Sequence, residues 1–405
     1  MSARTISNVG LIGPDETTGR PAQGSAQGSD PRDAMRRMLP AWIQPFLTWL
    51  TAKPVAGARH IPGSRSFHVA VAVLLVLMGL AWTGVVFRHP QVLWPFLPLA
   101  LLVTSSGIAR LQVLVYHYAA HGTVFRSPAA NFAAGRAVSV LLMIREFGAY
   151  RRDHLQHHRI QKMVRADDEF AQLVTQVLKL RPGEPKARQL RLLLMRLVSP
   201  AFHLRFLLVR ARGCFLSGSR THNAIAAAAW GALLAGTWTT DGWLFVAVAW
   251  LLPVTVLLNI GIVLRTLCEH RWPPAEIDPA ALSCIAERKR LVCRTTIGVF
   301  PASPPPDAPA STARGAVAWG LWWARLLTEH LVTRLFVLVG DAPCHDYHHR
   351  RPSAHDWPSY IHARQHDVER GCPGYPEPYA ECWGMTSAID QTLQSLADAR
   401  TMPAR

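Results

Sequence analysis

The chain has 405 residues, 50% of them hydrophobic, and its 43 basic residues outnumber its 26 acidic residues, giving a formal net charge of +17. The length of the chain alone would suggest two or three soluble domains, but its apolar runs are long enough to cross a membrane and exclude that organisation. The basic residues lie beside those runs and not in a separate basic domain, so the charge indicates contact with anionic lipid and not with nucleic acid. Seven cysteines without a CxxC pair predict reduced thiols and no disulfide framework.

Residues 1–60 form the predicted N-terminal region. Within it, residues 1–35 are rich in Gly, Ser and Pro and lack the apolar core of a signal peptide, which predicts a disordered cytoplasmic tail. The stretch 38–50 is apolar but too short to cross a bilayer, so we expect it at the membrane interface or packed on the protein. A membrane domain over 61–370 and a cytoplasmic C-terminal tail over 371–405 complete the predicted organisation.

Four apolar segments are predicted to cross the membrane, so the expected fold is an all-α integral membrane protein. Short turns join them into two hairpins, and they comprise residues 67–87, 92–109, 224–238 and 243–264. Nearly all Arg and Lys residues lie on the side where the hairpins begin and end, which indicates that this side is cytoplasmic.

Three further apolar segments are predicted to lie at the membrane interface. Residues 132–144 are too short to cross, and residues 178–220 repeat arginine in the pattern of an amphipathic helix pair. Residues 316–339 are long enough to cross, but four ionisable side chains would then lie inside the bilayer at a high cost in free energy. Crossing would also move the last histidine cluster away from the others.

Nine histidines in four places follow the ends of these segments. His117 and His121 form a His-x-x-x-His pair, and His270 stands alone after the last predicted span. The two remaining places are His-x-x-His-His clusters: His154, His157 and His158, then His345, His348 and His349. Residues spaced i, i+3 and i+4 share one helix face, so each cluster can direct its imidazoles at one point. The nine together predict a histidine-rich cytoplasmic cap.

The sequences HYAAH, HLQHH and HDYHH resemble the histidine boxes of the membrane fatty-acid desaturase and hydroxylase family, from about residue 67 to about residue 360. The resemblance implies a non-haem di-iron centre that uses dioxygen and two electrons to attack an unactivated C–H bond. All nine histidines are the implied iron ligands, and His270 is among them because the family places a ligand histidine at the cytoplasmic end of the fourth span. Tyr118 and Asp346 occupy box positions where many members carry other residues, which leaves the substrate subclass open.

The residues themselves support two metal ions without identifying the metal. Imidazole binds Fe, Zn, Cu and Ni, and nine ligands exceed the four that one zinc takes. Five acids adjoin or follow the boxes and are candidates to accept hydrogen bonds from the ligand histidines. They are Asp153, Asp167, Asp168, Glu269 and Asp346. The alternative is that they are solvated acids paired with neighbouring arginines.

The other nine histidines are predicted to have no role in metal binding. We expect structural or interfacial positions for His60, His68, His89, His203, His222 and His330. His355, His362 and His366 follow the third box but lack helical-face spacing with it, so we expect them at the surface.

The predicted activity is therefore that of a dioxygen-dependent oxidoreductase, in the first place a desaturase acting on a lipid acyl chain. A hydroxylase, ketolase or epoxidase acting on a carotenoid, an alkane or a lipid is the alternative within the family. A membrane metal-transport or metal-sensing protein and a bis-His haem carrier are alternatives outside it, although both would place histidines inside the spans. Because no His-Pro-Gly-Gly haem motif occurs, we expect electrons from a separate donor, a ferredoxin or a cytochrome b5-like protein with its reductase, attracted by the basic face.

Overall fold

The computed structural model describes residues 30–59, 62–159, 167–274 and 284–399. The protein is mostly helical, at 72%, with almost no sheet, as the sequence predicts. The disordered tail predicted over 1–35 falls mainly outside the described residues, and the chain is already helical from Pro31.

Helices of very different length follow one another along the described chain, and several of the longer ones contain a π-helical turn. Their bounds are Pro31–Met38, Gln44–Thr51, Arg65–Arg88, Pro90–Ala120, Pro128–Leu141, Phe147–His157, Glu169–Val177, Lys186–Val198, Pro200–Phe215, Arg220–Thr239, Trp243–Glu269, Ile285–Thr295, Ala313–Val337, His345–Arg350, Tyr360–Glu369 and Met385–Ala397.

Three helices in the described part of the chain are long and apolar enough to cross a membrane, which indicates a membrane protein. We call them the first, second and third apolar helices: Arg65–Arg88, Pro90–Ala120 and Trp243–Glu269. The span predicted at 224–238 forms the helix Arg220–Thr239, but this helix is not among the three. The predicted amphipathic pair, Lys186–Val198 and Pro200–Phe215, gives a fourth candidate only if the two helices, bent by 75°, count as one span. The four-span topology therefore stays a prediction.

The first two apolar helices pack closely because glycines lie at their contact. A Cβ atom on Gly79 would overlap Thr104, and one on Gly107 would overlap the backbone of Val76. Small residues let the backbones of membrane helices approach each other. The predicted first hairpin is thus formed, and it fixes the direction of the second apolar helix toward the histidines.

The segment predicted to be interfacial at 316–339 is helical from Ala313 to Val337, through two π turns. It is not among the candidate membrane spans found in the described residues. Arg334 is buried, and its guanidinium donates hydrogen bonds to the backbone carbonyls of Trp49 at 2.8 Å and Leu338 at 2.6 Å. The charge is thus satisfied inside the protein, and the interfacial position itself stays a prediction.

The N-terminal helices pack on this same segment. Met35, Leu47 and Leu50 form a buried apolar cluster with Trp322 and Leu326. Residues 38–50 therefore pack on the protein, and their position at the membrane interface stays a prediction.

The described residues of the C-terminal region, 371–399, pack on the rest of the protein, and the predicted division into regions stays a prediction. The strand Glu381–Trp383 pairs in parallel with Gly298–Phe300. The helix Met385–Ala397 buries one apolar face and contacts the third apolar helix. Oγ1 of Thr392 on this helix donates a 2.9 Å hydrogen bond to the backbone carbonyl of His270. The C-terminal region therefore helps to position the lone histidine.

Candidate metal centre

The second apolar helix carries the first histidine pair at its C-terminal end. A π turn over Leu111–Tyr116 lies directly before His117. Such a turn contains an extra residue, so it rotates the following side chains relative to the preceding helix face. His117 is buried and His121 is half-buried, and both imidazoles contact that of His154.

The second and third histidine clusters lie on short helices. Phe147–His157 begins after Glu146, whose carboxylate accepts hydrogen bonds from the backbone nitrogens of Gly148 and Ala149, each at 2.7 Å. An acid in this position satisfies helix N–H groups that have no partner within the helix. The helix His345–Arg350, with the third cluster, is buried along its whole length.

His270 has no cluster of its own, and backbone contacts hold it in an extended conformation after the third apolar helix. It forms an isolated antiparallel bridge with Thr296. The backbone nitrogen of Arg271 donates to the carbonyl of Thr295 at 2.8 Å. With the bond from Thr392, these contacts place His270 next to the third cluster.

The nine imidazoles gather in two groups, within each of which the potential ligand atoms all lie within 4.8 Å of one another. The five-histidine group consists of His117, His121, His154, His158 and His348, and the four-histidine group consists of His157, His270, His345 and His349. The two His-x-x-His-His clusters each contribute to both groups. The structure thus brings together all nine histidines predicted from the sequence, and their role as ligands stays a prediction.

The Nε2 atoms of the five-histidine group converge. Nε2 of His348 lies 2.9 Å from Nε2 of His117 and 3.0 Å from Nε2 of His158. Nε2 of His154 lies 3.1 Å from Nε2 of His121 and 3.1 Å from Nε2 of His158. Each of the five nitrogens therefore has at least one neighbour at this separation.

The four-histidine group has the same spacing. Nε2 of His345 lies 3.2 Å from Nε2 of His270 and 3.0 Å from Nε2 of His349. Two nitrogen ligands about 2.1 Å from one metal ion, and at right angles around it, are about 3.0 Å apart. The spacing in both groups therefore fits one metal ion per group.

Most of these imidazoles are held in the neutral form, which is the form that binds metal. Burial, together with the neighbouring histidines, lowers the pKa of His121 to about 2. The same causes lower the pKa of five others well below the ordinary value: His158, His270, His345, His348 and His349.

Two consecutive acids contact one imidazole in each group. Nδ1 of His157 lies 2.5 Å from Oδ1 of Asp168, and Nδ1 of His154 lies 2.8 Å from Oε1 of Glu169. Burial lowers the pKa of His157, but the Asp168 carboxylate outweighs it and raises that pKa to about 9. Burial raises the pKa of Glu169, whereas His154 lowers it, to about 2 overall. Carboxylates in these positions fix the ring orientation of a ligand histidine and make it a better donor to metal.

The other acids predicted to support the histidines have no hydrogen bond to them of this kind in the described structure. Asp153 pairs with Arg145 on the surface at 2.5 Å. Asp346 is buried in an ion pair with Arg364 at 2.8 Å. Asp167 is exposed. Glu269 has a longer contact, with Oε1 3.7 Å from Nδ1 of His345.

A cavity of about 220 Å³ adjoins both histidine groups, and its lining includes charged side chains that the sequence did not single out. Glu169, Arg265 and Asp341 are among its lining residues. Oδ2 of Asp341 accepts a short hydrogen bond from the hydroxyl of Tyr118, which follows His117 directly. In the sequence, the position of Glu169 directly after Asp168 was the one indication that it lies near the histidines. Nothing near Asp341 resembles a motif, so its place in the cavity had no such indication.

None of the other described histidines belongs to either group. Those predicted to be structural or at the surface are His68, His89, His203, His222, His330, His355, His362 and His366, and His60 lies outside the described residues. His89, His355 and His366 are exposed, whereas His203, His222 and His330 are buried.

Fold and site together define a helical membrane protein with two groups of imidazoles that could each hold a metal ion. The family model for fatty acid desaturases matches residues 92–383, well over half of the chain. The protein therefore belongs to the fatty acid desaturase family, as its histidine boxes predicted, and the matched region contains all nine histidines. No curated protein matched the sequence.

Proposed function

We propose that this protein is a membrane di-iron oxidoreductase that uses dioxygen to introduce a double bond into a lipid acyl chain. The observation that carries the proposal is the convergence of nine imidazoles into two groups beside one cavity. In this proposal the five-histidine group holds one iron ion and the four-histidine group holds the other. When bound, the two ions would activate dioxygen for attack on a C–H bond.

The residues around the groups suit this role. Neutral imidazoles leave the metal ions with their full positive charge, so they remain electron-poor. Asp168 and Glu169 keep His157 and His154 in one orientation through hydrogen bonds to Nδ1. Burial of most of the nine imidazoles keeps bulk water from the reacting centre.

A hydroxylase is the second candidate, because both reactions begin at a C–H bond and differ only in the second step. We propose to supply the purified protein with a reductase and ferredoxin, a lipid extract of the expressing host, and ¹⁸O₂. A product that lacks two hydrogens supports the desaturase, and a product that carries one labelled oxygen supports the hydroxylase. The variant His348→Ala is the control and should form neither. A wild-type protein without any oxygen-dependent product would overturn the proposal.

The electron donor in this proposal is a separate acidic protein that docks on the cytoplasmic face. The net charge of +17 supports it, because opposite charge speeds association and makes it sensitive to salt. The rate with ferredoxin should therefore fall as the salt concentration rises. A rate independent of salt would argue against docking by charge.

Metal transport is the rival outside the family. Transport sites are built from ligands near the bilayer midplane on broken helices. Here the histidines lie in the last turn of the second apolar helix, directly after the ends of the second and third apolar helices, or on short helices beyond them, which favours the oxidoreductase.

A further inference from the structure

We infer that the cavity beside the two histidine groups binds a neutral polar group of the substrate, an amide or a hydroxyl, and that the oxidised carbon lies close to that group. The inference rests on the proposed function, since it concerns the substrate of the same site. The cavity measures about 220 Å³, less than the roughly 300–1,000 Å³ usual for a ligand pocket. It accommodates one end of a lipid and not a long stretch of chain.

Arg265 supplies the cavity with a hydrogen-bond donor that the described residues leave unpaired. Its Nε atom is buried and has no hydrogen-bond partner among them. Oε1 of Glu269, one helical turn further on, lies 3.6 Å from that nitrogen, which is too far for a hydrogen bond. The ion pair with Glu269 leaves the Nε–H without a hydrogen bond, and a buried donor without a hydrogen bond is costly. A ligand with an acceptor atom therefore gains by meeting Arg265.

Asp341 supplies an acceptor in the same cavity. Its Oδ2 atom is occupied by the hydroxyl of Tyr118, but its Oδ1 atom is buried and has no partner among the described residues. A ligand with a donor atom gains by meeting this oxygen. The cavity is therefore complementary to a ligand that carries one hydrogen-bond acceptor and one donor close together. A hydroxyl or an amide has both.

The charges of the lining disfavour an anionic group. Glu169 and Glu269 line the cavity with Arg265, and Oε1 of Glu269 already lies 3.6 Å from Nε of Arg265, so a carboxylate at the guanidinium would approach an acid that is already there. A plain hydrocarbon segment would leave Nε of Arg265 and Oδ1 of Asp341 without hydrogen bonds, at the cost of two buried polar atoms. A neutral donor–acceptor group meets both.

The depth of the cavity sets how far the polar group lies from the reacting carbon. Gln112 and Arg265 line the cavity together with His117 and His270, so all four side chains border one space of about 220 Å³. Gln112 and Arg265 also line a separate, small void of about 10 Å³. A polar group held at Arg265 therefore lies within a few C–C bonds of the imidazoles, and oxidation is directed to the carbons nearest that group.

Binding of short probes tests this without turnover. The full-length protein, as purified in detergent and kept anaerobic without reductant, is titrated calorimetrically with hexanamide, hexan-1-ol, hexanoate and methyl hexanoate. Hexanamide and hexan-1-ol should bind at least about ten-fold more tightly than the other two. The substitution Arg265→Met should weaken hexanamide binding about ten- to hundred-fold, and Arg265→Gln, which keeps a neutral donor, should weaken it less.

Arg325→Met is the matched control, because Arg325 forms an i,i+4 ion pair with Glu329 on the surface. It should bind every probe as the wild type does, and the unfolding temperature of each variant shows that it is folded. Equal affinity for all four probes, tightest binding of hexanoate, or unchanged binding in both Arg265 variants would overturn the inference. Iron analysis of the same preparation separates the two claims. Protein without iron overturns the proposed function and the substrate assignment with it, whereas iron without probe preference overturns this inference alone.

Discussion

Nδ1 of His157 lies 2.5 Å from Oδ1 of Asp168, and the two side chains are only 3% and 0% exposed. The next residue, Glu169, contacts Nδ1 of His154 in the same way. His157 belongs to the four-histidine group and His154 to the five-histidine group. One short acidic segment therefore orients an imidazole in each group, which gives the two candidate metal sites separate and testable supports.

Asp168→Asn should release the metal ion of the four-histidine group. Loss of a carboxylate behind a ligand histidine weakens metal affinity about 10- to 100-fold. Asp168 also caps the following helix by accepting from the backbone nitrogen of Phe170, but Asn caps nearly as well, so the helix should remain. Metal per chain after dialysis against a chelator measures the effect. Asp153→Asn, in the surface pair with Arg145, is the control, and equal losses in both variants would contradict the assignment.

Glu169→Gln should release the metal ion of the five-histidine group and leave the other in place. Each single variant should then retain about half of the wild-type metal after the same dialysis, and the double variant almost none. In a protein that already carries His348→Ala, Glu169→Gln should cause little further loss of metal, because both substitutions act on the same ion. Asp168→Asn should cause a further loss, because it acts on the other ion. The prediction fails if Glu169→Gln and Asp168→Asn deplete the same ion.

Arg364→Met should destabilise the protein strongly. Nη2 of Arg364 lies 2.8 Å from Oδ2 of Asp346, and both side chains are at most 2% exposed. Removing one partner of a buried ion pair leaves an uncompensated charge and costs about 3–5 kcal/mol. Thermal unfolding in detergent should show a clear drop, which Asp346→Asn added to Arg364→Met partly restores. Arg325→Met, in an exposed pair, should cost no more than about 1 kcal/mol.

Asp341 should make stability depend on pH. Burial raises the pKa of its carboxyl from 3.8 to about 7. Between these values the folded protein keeps a proton that the unfolded chain has released, so this group lowers the free energy of unfolding as the pH rises from about 4 to about 7. Asp341→Asn cannot titrate and should gain stability relative to the wild type over that range, by up to about 4 kcal/mol. Unfolding temperatures of both proteins at the two ends of the range measure this, and parallel pH profiles would contradict it.

The histidines could be predicted from the sequence because a helical repeat fixes which side chains share a face. The i, i+3, i+4 spacing places each box on one side of a helix, whatever the rest of the chain does. The same helical geometry explains why two of the acids predicted to support the histidines do not contact those histidines. Asp153 and Asp346 are directly adjacent to a box histidine on a helix, and consecutive helical residues do not face each other.

The other features of the site could not be predicted from the sequence, because they depend on contacts between distant parts of the chain. Arg364 approaches Asp346, and Thr392 holds His270, only after the C-terminal region has folded onto the core. Asp341 precedes the third box on a segment without a helical repeat, so no local pattern indicated its contact with Tyr118. A short amphipathic helix such as Met385–Ala397 also carries too weak a signal to distinguish a packed helix from a tail.

The number of iron ions per chain tests the central claim most directly. Protein purified in detergent is analysed for metals as wild type, as His348→Ala and as His157→Ala. We expect about two iron ions in the wild type, with one lost in each variant, since His348 belongs to the five-histidine group and His157 to the four-histidine group. A single zinc ion per chain, or iron that both variants retain in full, would contradict it.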